Sequence, residues 1–225
     1  MGPWQVHSLR SGPDDFSTAH NLSGHVSYRV GGRSLALASL IGARPLVRQR
    51  ARPVLAALAG LASATTVLQL RSGNYRVLVL GVAPRGELPK DATLGERAPL
   101  TSGCSGLAIL AFLSTLEADA VIAARPRRER APMQALLAGI RADGYALSFS
   151  ANHPELNGIA APLLDRDGYP LGSVAIAGPP VRLSEPALRQ LGAPLIDACT
   201  RLAPRLATVL GPYSSERLSA LDLKP

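Results

Sequence analysis

The chain has 225 residues, 47% of them hydrophobic and 18% charged. That balance belongs to a globular protein with material for a full core, and it excludes a disordered or low-complexity chain. The net charge is +8 and all the basic side chains except Lys90 and Lys224 are arginine. In a chain crowded with Ala, Leu, Gly and Pro, this excess reads as composition bias ahead of a phosphate-gripping surface driven by counterion release.

Residues 1–27 are polar, rich in Ser, His, Gly and Asp, and predict a flexible arm. From Tyr28, YRVGGRSLALASLIG predicts a strand end, a Gly-Gly turn and an amphipathic helix that Arg44-Pro45 interrupts. A second helix is predicted from about Leu46 to Ala62. The uncharged run Pro53–Leu70 approaches the length of a membrane span, roughly 18 residues. Gly60, Ser63, Thr65, Thr66 and Gln69 split it instead into a helix, VLAALAGLA, and a strand, TTVLQL, both read as soluble core. TTVLQL and YRVLVLGVA flank Arg71-Ser72-Gly73-Asn74, which predicts a hairpin. Pro84–Pro99 reads as loop. GCSGLAILAFLS predicts a buried helix over about Cys104–Leu113, with Thr101 or Ser102 to cap it. A short helix over Glu117–Ala124 follows, then an exposed, solvated loop over Arg125–Arg130. Met133–Ala142 predicts a helix stopping at Asp143-Gly144, and YALSFS a strand.

The stretch Gly158–Glu185 carries the clearest pattern. Two apolar runs flank the turn Asp165-Arg166-Asp167-Gly168, and Gly-Pro-Pro stops the second run. Neither run alternates cleanly, so both faces of this hairpin are expected to be covered by protein. Ser184, Glu185 and Pro186 form a helix start. A long amphipathic helix then reaches Leu210, with Pro194 and Pro204 expected to bend or break it, before Gly211-Pro212 and a polar tail. The element order predicts an α+β fold, an antiparallel sheet with helices packed on it.

Catalytic chemistry finds little support. His7, His20, His25 and His153 have no metal-ligand spacing with Cys or a carboxylate. Cys104 precedes an apolar helix whose dipole favours the thiolate, but no base is placed beside it. Ser105 fails the G-x-S-x-G nucleophile turn because Leu107 holds the last glycine position. No catalytic residue, metal or cofactor is expected. Gly103-Cys104-Ser105-Gly106 places small residues and backbone N–H groups at a helix N-terminus, which attracts carboxylates. The same glycines serve close packing of helix on sheet. Cys199 lies on the apolar stripe of the last helix and is expected in the core. Two distant cysteines and an N-terminus without an apolar leader segment predict free thiols in a reducing cytoplasm.

Several blocks, in order, resemble the effector-binding domain of IclR-type transcriptional regulators, a GAF-like fold. They are YRVGGRSLALASL, ARPVLAALAGLASATTVLQL, PLTSGCSGLAILAFL, LLAGIRADGYALS and GIAAPLLDRDGYPLGSVAIAGPPVRLSE, covering about Tyr28–Gly211. The resemblance implies a GAF-like antiparallel sheet flanked by helices and preceded by a linker helix. It implies a cytoplasmic regulator that binds a small organic effector, forms a homodimer or homotetramer, and pairs this domain with an N-terminal winged helix-turn-helix. Tyr28–Gly32 then resembles the wing end and Ser34–Ile41 the linker helix. The expected domains are an N-terminal arm or remnant over 1–27, wing end and linker over 28–44, the effector-binding domain over 45–212 and a tail over 213–225. The alternative is a stand-alone small-molecule-binding or oligomerisation module without DNA-binding activity; an enzyme on a GAF-like fold is a third.

The chain also departs from that pattern. A three-helix reader needs three helices of roughly 11 residues each upstream of the wing, more than the stretch before Tyr28 offers. DNA contact is therefore expected only where a winged helix-turn-helix is supplied upstream; a misplaced start, a fragment and a real loss stay open. The family's Gly-Lys-Ala becomes Gly106-Leu107-Ala108, its acidic pair becomes Ser150 and Ala151, and a later glycine becomes Glu155. By resemblance, the effector pocket falls on Cys104, Ser105, Ser148, Leu156, Gly158, Ala175 and Ala177. Gly158, Ala175 and Ala177 offer no side-chain donor, and a carboxylate buried without partners costs several kcal/mol. The effector is accordingly expected to be less polar than a small keto acid, with Cys104, Ser105 and Ser148 supplying what polarity remains.

Overall fold

The computed structural model describes residues 17–22, 25–30, 32–84, 94–150 and 155–210. Contacts divide the chain into two units, 1–43 and 44–225. In the first, β1 (Ser17–Leu22) and β2 (His25–Val30) form an antiparallel hairpin. Residues 17–27, expected as part of a flexible arm, are thus largely strand: β2 begins ahead of Tyr28, and the polar side chains that hid the pattern do not prevent a backbone ladder. Helix α1 runs Gly32–Ala62 without interruption, so Pro45 and Pro53 lie inside it and the expected break at Arg44-Pro45 is not found. Val47, Ala51, Leu55, Leu58 and Ala59 form one buried stripe, while both prolines sit on the exposed side. Burial of that stripe outweighs the hydrogen bonds the prolines forfeit.

The second unit is built on a six-stranded antiparallel sheet. Its strands are β3 (Thr65–Ser72), β4 (Tyr75–Val82), β5 (Arg97–Pro99), β6 (Ala146–Phe149), β7 (Asn157–Leu164) and β8 (Pro170–Gly178), in the order β5-β4-β3-β8-β7-β6. The β3–β4 and β7–β8 hairpins form where the apolar runs and their turn residues placed them, and β3 pairs with β8 to join them. Strands β7 and β8 are buried almost throughout, as two unbroken apolar runs require. β5 falls inside the stretch expected as loop; its three residues are too short to show a period.

Helices cover both faces. Ile159, Ala161, Val174, Ile176, Leu68 and Leu80 pack against the second half of α1 and against α6 (Gly192–Leu210). On the other face Ala146, Ala160, Ala175 and Val67 pack with α2 (Gly103–Leu110), α3 (Thr115–Ile122) and α4 (Arg127–Asp143). α3 is capped by Ser114, whose hydroxyl accepts from the Glu117 N–H. α4 begins at Arg127 and so absorbs most of the arginine run expected as loop, with Arg125 paired to Glu129 at 2.7 Å. It ends at Gly144, whose φ of 79° is the left-handed stop that glycine permits. The closing helix breaks at Leu191, between α5 (Glu185–Gln190) and α6, not at Pro194 or Pro204. Pro194 occupies the first turn of α6, where its missing N–H costs nothing. Among the described residues no helix is long and apolar enough to cross a membrane.

A close approach fixes β8 against β3: a Cβ added at Gly172 would lie 2.2 Å from the Gln69 carbonyl oxygen. Gly172→Ala is therefore expected to destabilise the protein by about 2 kcal/mol or more. Gly60, exposed in α1 with open space around it, should respond oppositely. Gly60→Ala should stabilise by about 0.5–1 kcal/mol. Urea unfolding of the two variants checks both signs.

Candidate functional site

The expected pocket positions converge on one face of the sheet. Ser148 lies opposite Gly158, and Gly158 opposite Ala177, so the three form a row across β6, β7 and β8. Ala175 lies two residues along from Ala177, on the same face, opposite Ala160 and Val67. α2 sits on this face through its first turn. A Cβ on Gly158 would stand 3.2 Å from the Cys104 Sγ and 3.1 Å from the Ile176 carbonyl. The Ser173 hydroxyl donates to the Ser105 carbonyl at 3.0 Å, tying β8 to the start of the helix. Leu156 stands at the entry to β7, where its carbonyl accepts the Ser150 N–H at 3.0 Å.

The helix start is unusual. Gly103 enters with φ 65°, and the N-cap residue Ser102 makes no side-chain cap hydrogen bond. Its hydroxyl is turned to the Pro99 carbonyl instead. Gly103, Cys104, Ser105 and Gly106 are all buried. An uncapped helix start away from water leaves its first N–H groups in need of an acceptor. Gly106 has no room for a side chain: a Cβ there would lie 2.6 Å from the Leu100 carbonyl oxygen.

Two residues absent from the expected set lie beside this helix start. Arg76 on β4 is only 8% exposed, and Gln69 on β3 only 9%. Arg76 Nη1 donates to Gln69 Oε1 at 2.8 Å, and Nη2 to the carbonyl of Ser102 at 3.3 Å. Its Nε–H is buried with no acceptor. Burial pulls the guanidinium pKa down, while Cys104 and Glu96 pull it up, and an arginine stays charged regardless. The sequence held a signal. Arg76 shares the alternation of Leu78 and Leu80, the buried positions of β4. A register shift at Leu68/Gln69 decides which face each meets, and a bulge is not readable from alternation.

Neither thiol is poised for chemistry. Burial pushes Cys104 up to about 11, against the opposing pull of Arg76 and of the Ser105 N–H and hydroxyl. Burial likewise pushes Cys199 up to about 12, with a backbone hydrogen bond at Val174 opposing. Cys199 lies in the core and approaches the Ala161 carbonyl at 3.6 Å. Among the described residues no cluster of three His, Cys, Asp or Glu could hold a metal ion. A separate groove of about 890 Å³ opens beyond the β7–β8 turn, lined by Phe112, Arg141, Pro162, Leu164, Ile196 and Pro204 among others. None of the expected pocket positions lines it.

The family model for the C-terminal domain of the bacterial transcriptional regulator IclR matches residues 43–203. The HTH-type transcriptional regulator BhcR of Paracoccus denitrificans is 28% identical over 213 residues, covering 90% of this chain and 76% of its own. KipR of Bacillus subtilis, another HTH-type transcriptional regulator, is 24% identical over 216 residues, covering 92% and 85%. Among solved structures, an IclR-type regulator from a Silicibacter species superposes with a TM-score of 0.67 at 28% identity, covering 84% of this chain and 77% of that one. The IclR of Thermotoga maritima gives a TM-score of 0.66 at 22% identity, covering 84% and 79%.

The buried thiols make a pH prediction. A thiol pKa raised on folding means that the fold keeps the neutral form. Its contribution is complete below the unfolded value of about 8.5 and is lost as pH rises through the folded value. At pH 8 neither cysteine of the native chain should react with a thiol reagent within minutes, and both should in urea. Stability should fall from about pH 9 to about pH 11, and less steeply in a Cys104→Ala/Cys199→Ala variant. Rapid labelling at pH 8 would contradict the buried placement.

Proposed function

This chain belongs to the IclR family of bacterial transcriptional regulators, and we propose that it is the effector-sensing part of such a regulator. In this reading residues 45–212 bind a small organic metabolite where the first turn of α2 meets the sheet. Residues 28–44 provide the wing end and linker helix, and a homo-oligomer carries the binding event to DNA in the cytoplasm. DNA contact itself comes from a winged helix-turn-helix. The ligand acts by favouring one arrangement of the oligomer over another, so it must bind the two arrangements unequally.

The observation that carries this reading is the row Ser148, Gly158 and Ala177, with the Cys104 thiol seated against Gly158. Small residues on β7 and β8 leave the helix start as the feature presented to these strands. The arrangement supports binding and not turnover: the Cys104 thiol is pushed up to about 11, above where a nucleophile works at neutral pH. BhcR and KipR are transcriptional regulators by name.

Screened by thermal shift against small organic acids and aromatic metabolites, the 225-residue chain is expected to show a saturable rise in Tm with at least one compound. Gly158→Ala pushes the Cys104 thiol from its seat and should weaken that compound about tenfold, a change of about 1.4 kcal/mol. The circular dichroism of the variant should stay native-like. A response that Gly158→Ala leaves untouched, or no saturable response at all, would count against this site.

A further inference from the structure

Two arginines stand directly opposite each other on the sheet, Arg71 on β3 and Arg76 on β4. Like charges so placed repel, and their surroundings answer this in different ways. Arg71 is neutralised. Its Nη2 lies 3.1 Å from Glu117 Oε1, the Tyr169 hydroxyl donates to the same oxygen at 3.0 Å, and the Tyr169 ring lies 5.1 Å from the guanidinium carbon. Burial alone would push the Glu117 carboxyl up, but Ser114 and Arg71 hold it below its ordinary value. Arg76 has no such ion pair, and Glu96 attracts it through space without a hydrogen bond. Both its hydrogen bonds go to neutral oxygens, of Gln69 and Ser102. Among the described residues no carboxylate forms an ion pair with it, and its Nε–H is unsatisfied.

A buried cation with no hydrogen-bonded carboxylate is costly, and a protein that keeps one with an unsatisfied N–H needs a reason. The second observation lies in contact with the first. Nη2 touches the carbonyl of Ser102, the N-cap residue of α2, whose buried first turn has no side-chain cap. An unsatisfied guanidinium and an uncapped helix start, side by side, both call for negative charge. We propose that Arg76 is the specificity-determining residue of the effector site, selecting an effector that carries a single carboxylate. A single guanidinium balances one negative charge, so the second charge of a phosphate monoester or a dicarboxylate would be left uncompensated in a buried site. The charge comes from β4, which replaces the polar side chains that Gly158, Ala175 and Ala177 lack. The expectation of an effector less polar than a small keto acid counted Cys104, Ser105 and Ser148 as the remaining polarity and did not include β4. The inference rests on the effector-sensing reading above and adds the chemical class.

The test is a titration of the 225-residue chain, followed by thermal shift at constant ionic strength. The probes are acetate, pyruvate and benzoate, their uncharged counterparts acetamide, methyl pyruvate and benzamide, and inorganic phosphate. At least one carboxylate should stabilise the protein saturably, more than its uncharged counterpart and more than phosphate. Arg76→Met should weaken it by about 10- to 100-fold. Arg76→Lys, which keeps the charge but loses the fork, should fall between, and serves if Arg76→Met does not fold. Uncharged probes or phosphate binding better than the carboxylates, or carboxylate binding indifferent to Arg76, overturns the inference and leaves the effector site standing. No saturable response to any probe overturns both.

Discussion

The close seat of α2 on the sheet is the contact on which the rest of this domain depends. Gly106 lies against the Leu100 backbone, Gly158 against the Cys104 thiol, and Ser173 holds the Ser105 carbonyl. Each contact requires a side chain that is small or short. The helix then presents its first turn to β6, β7 and β8 at van der Waals distance, and the hydrophobic cluster of α2, α3 and α4 closes behind it. The glycines and alanines of this face are thus conditions of the packing as well as gaps in its polarity. Their loss of donors and their fit to the helix are one fact.

That packing places the site's charge elsewhere. Strands β7 and β8 face α2 with backbone and small apolar groups, and in the proposed site the cation comes from β4 through Arg76. Across the ladder, Arg71 shows what a structural arginine looks like in this fold, with a carboxylate, a hydroxyl and an aromatic face around it. The contrast between neighbours in register argues more strongly than the burial of either alone. A structural role for Arg76 would be served by the same kind of direct ion pair, and among the described residues only Arg71 of the two has one.

Where the pattern came from burial, the fold was legible in the sequence. The two apolar runs flanking Asp165–Gly168 gave β7 and β8, because strands covered on both faces need no alternation. Gly144 announced the end of α4 and Gly73 the β3–β4 turn. The errors have a common cause, local rules overridden by packing. Pro45 does not end α1, because the stripe from Val47 to Ala59 stays buried past it. Arg127–Arg130 joins α4, because Leu137 and Ile140 anchor that helix downstream. Of the candidate site, the family pattern named the strand positions, and the sheet register brings Ser148, Gly158 and Ala177 side by side. Arg76 was missed because its inward face depends on a bulge between β3 and β4, and because an arginine in an arginine-rich chain attracts no notice.

The most direct test of this account is a crystal structure of the 225-residue chain with its tightest-binding carboxylate. The account predicts a carboxylate oxygen at hydrogen-bond distance, about 3 Å, from the Arg76 guanidinium, with the same group facing the first turn of α2. A ligand lodged in the groove beside Phe112, Ile196 and Pro204, or one bound at α2 with no atom near Arg76, would contradict it.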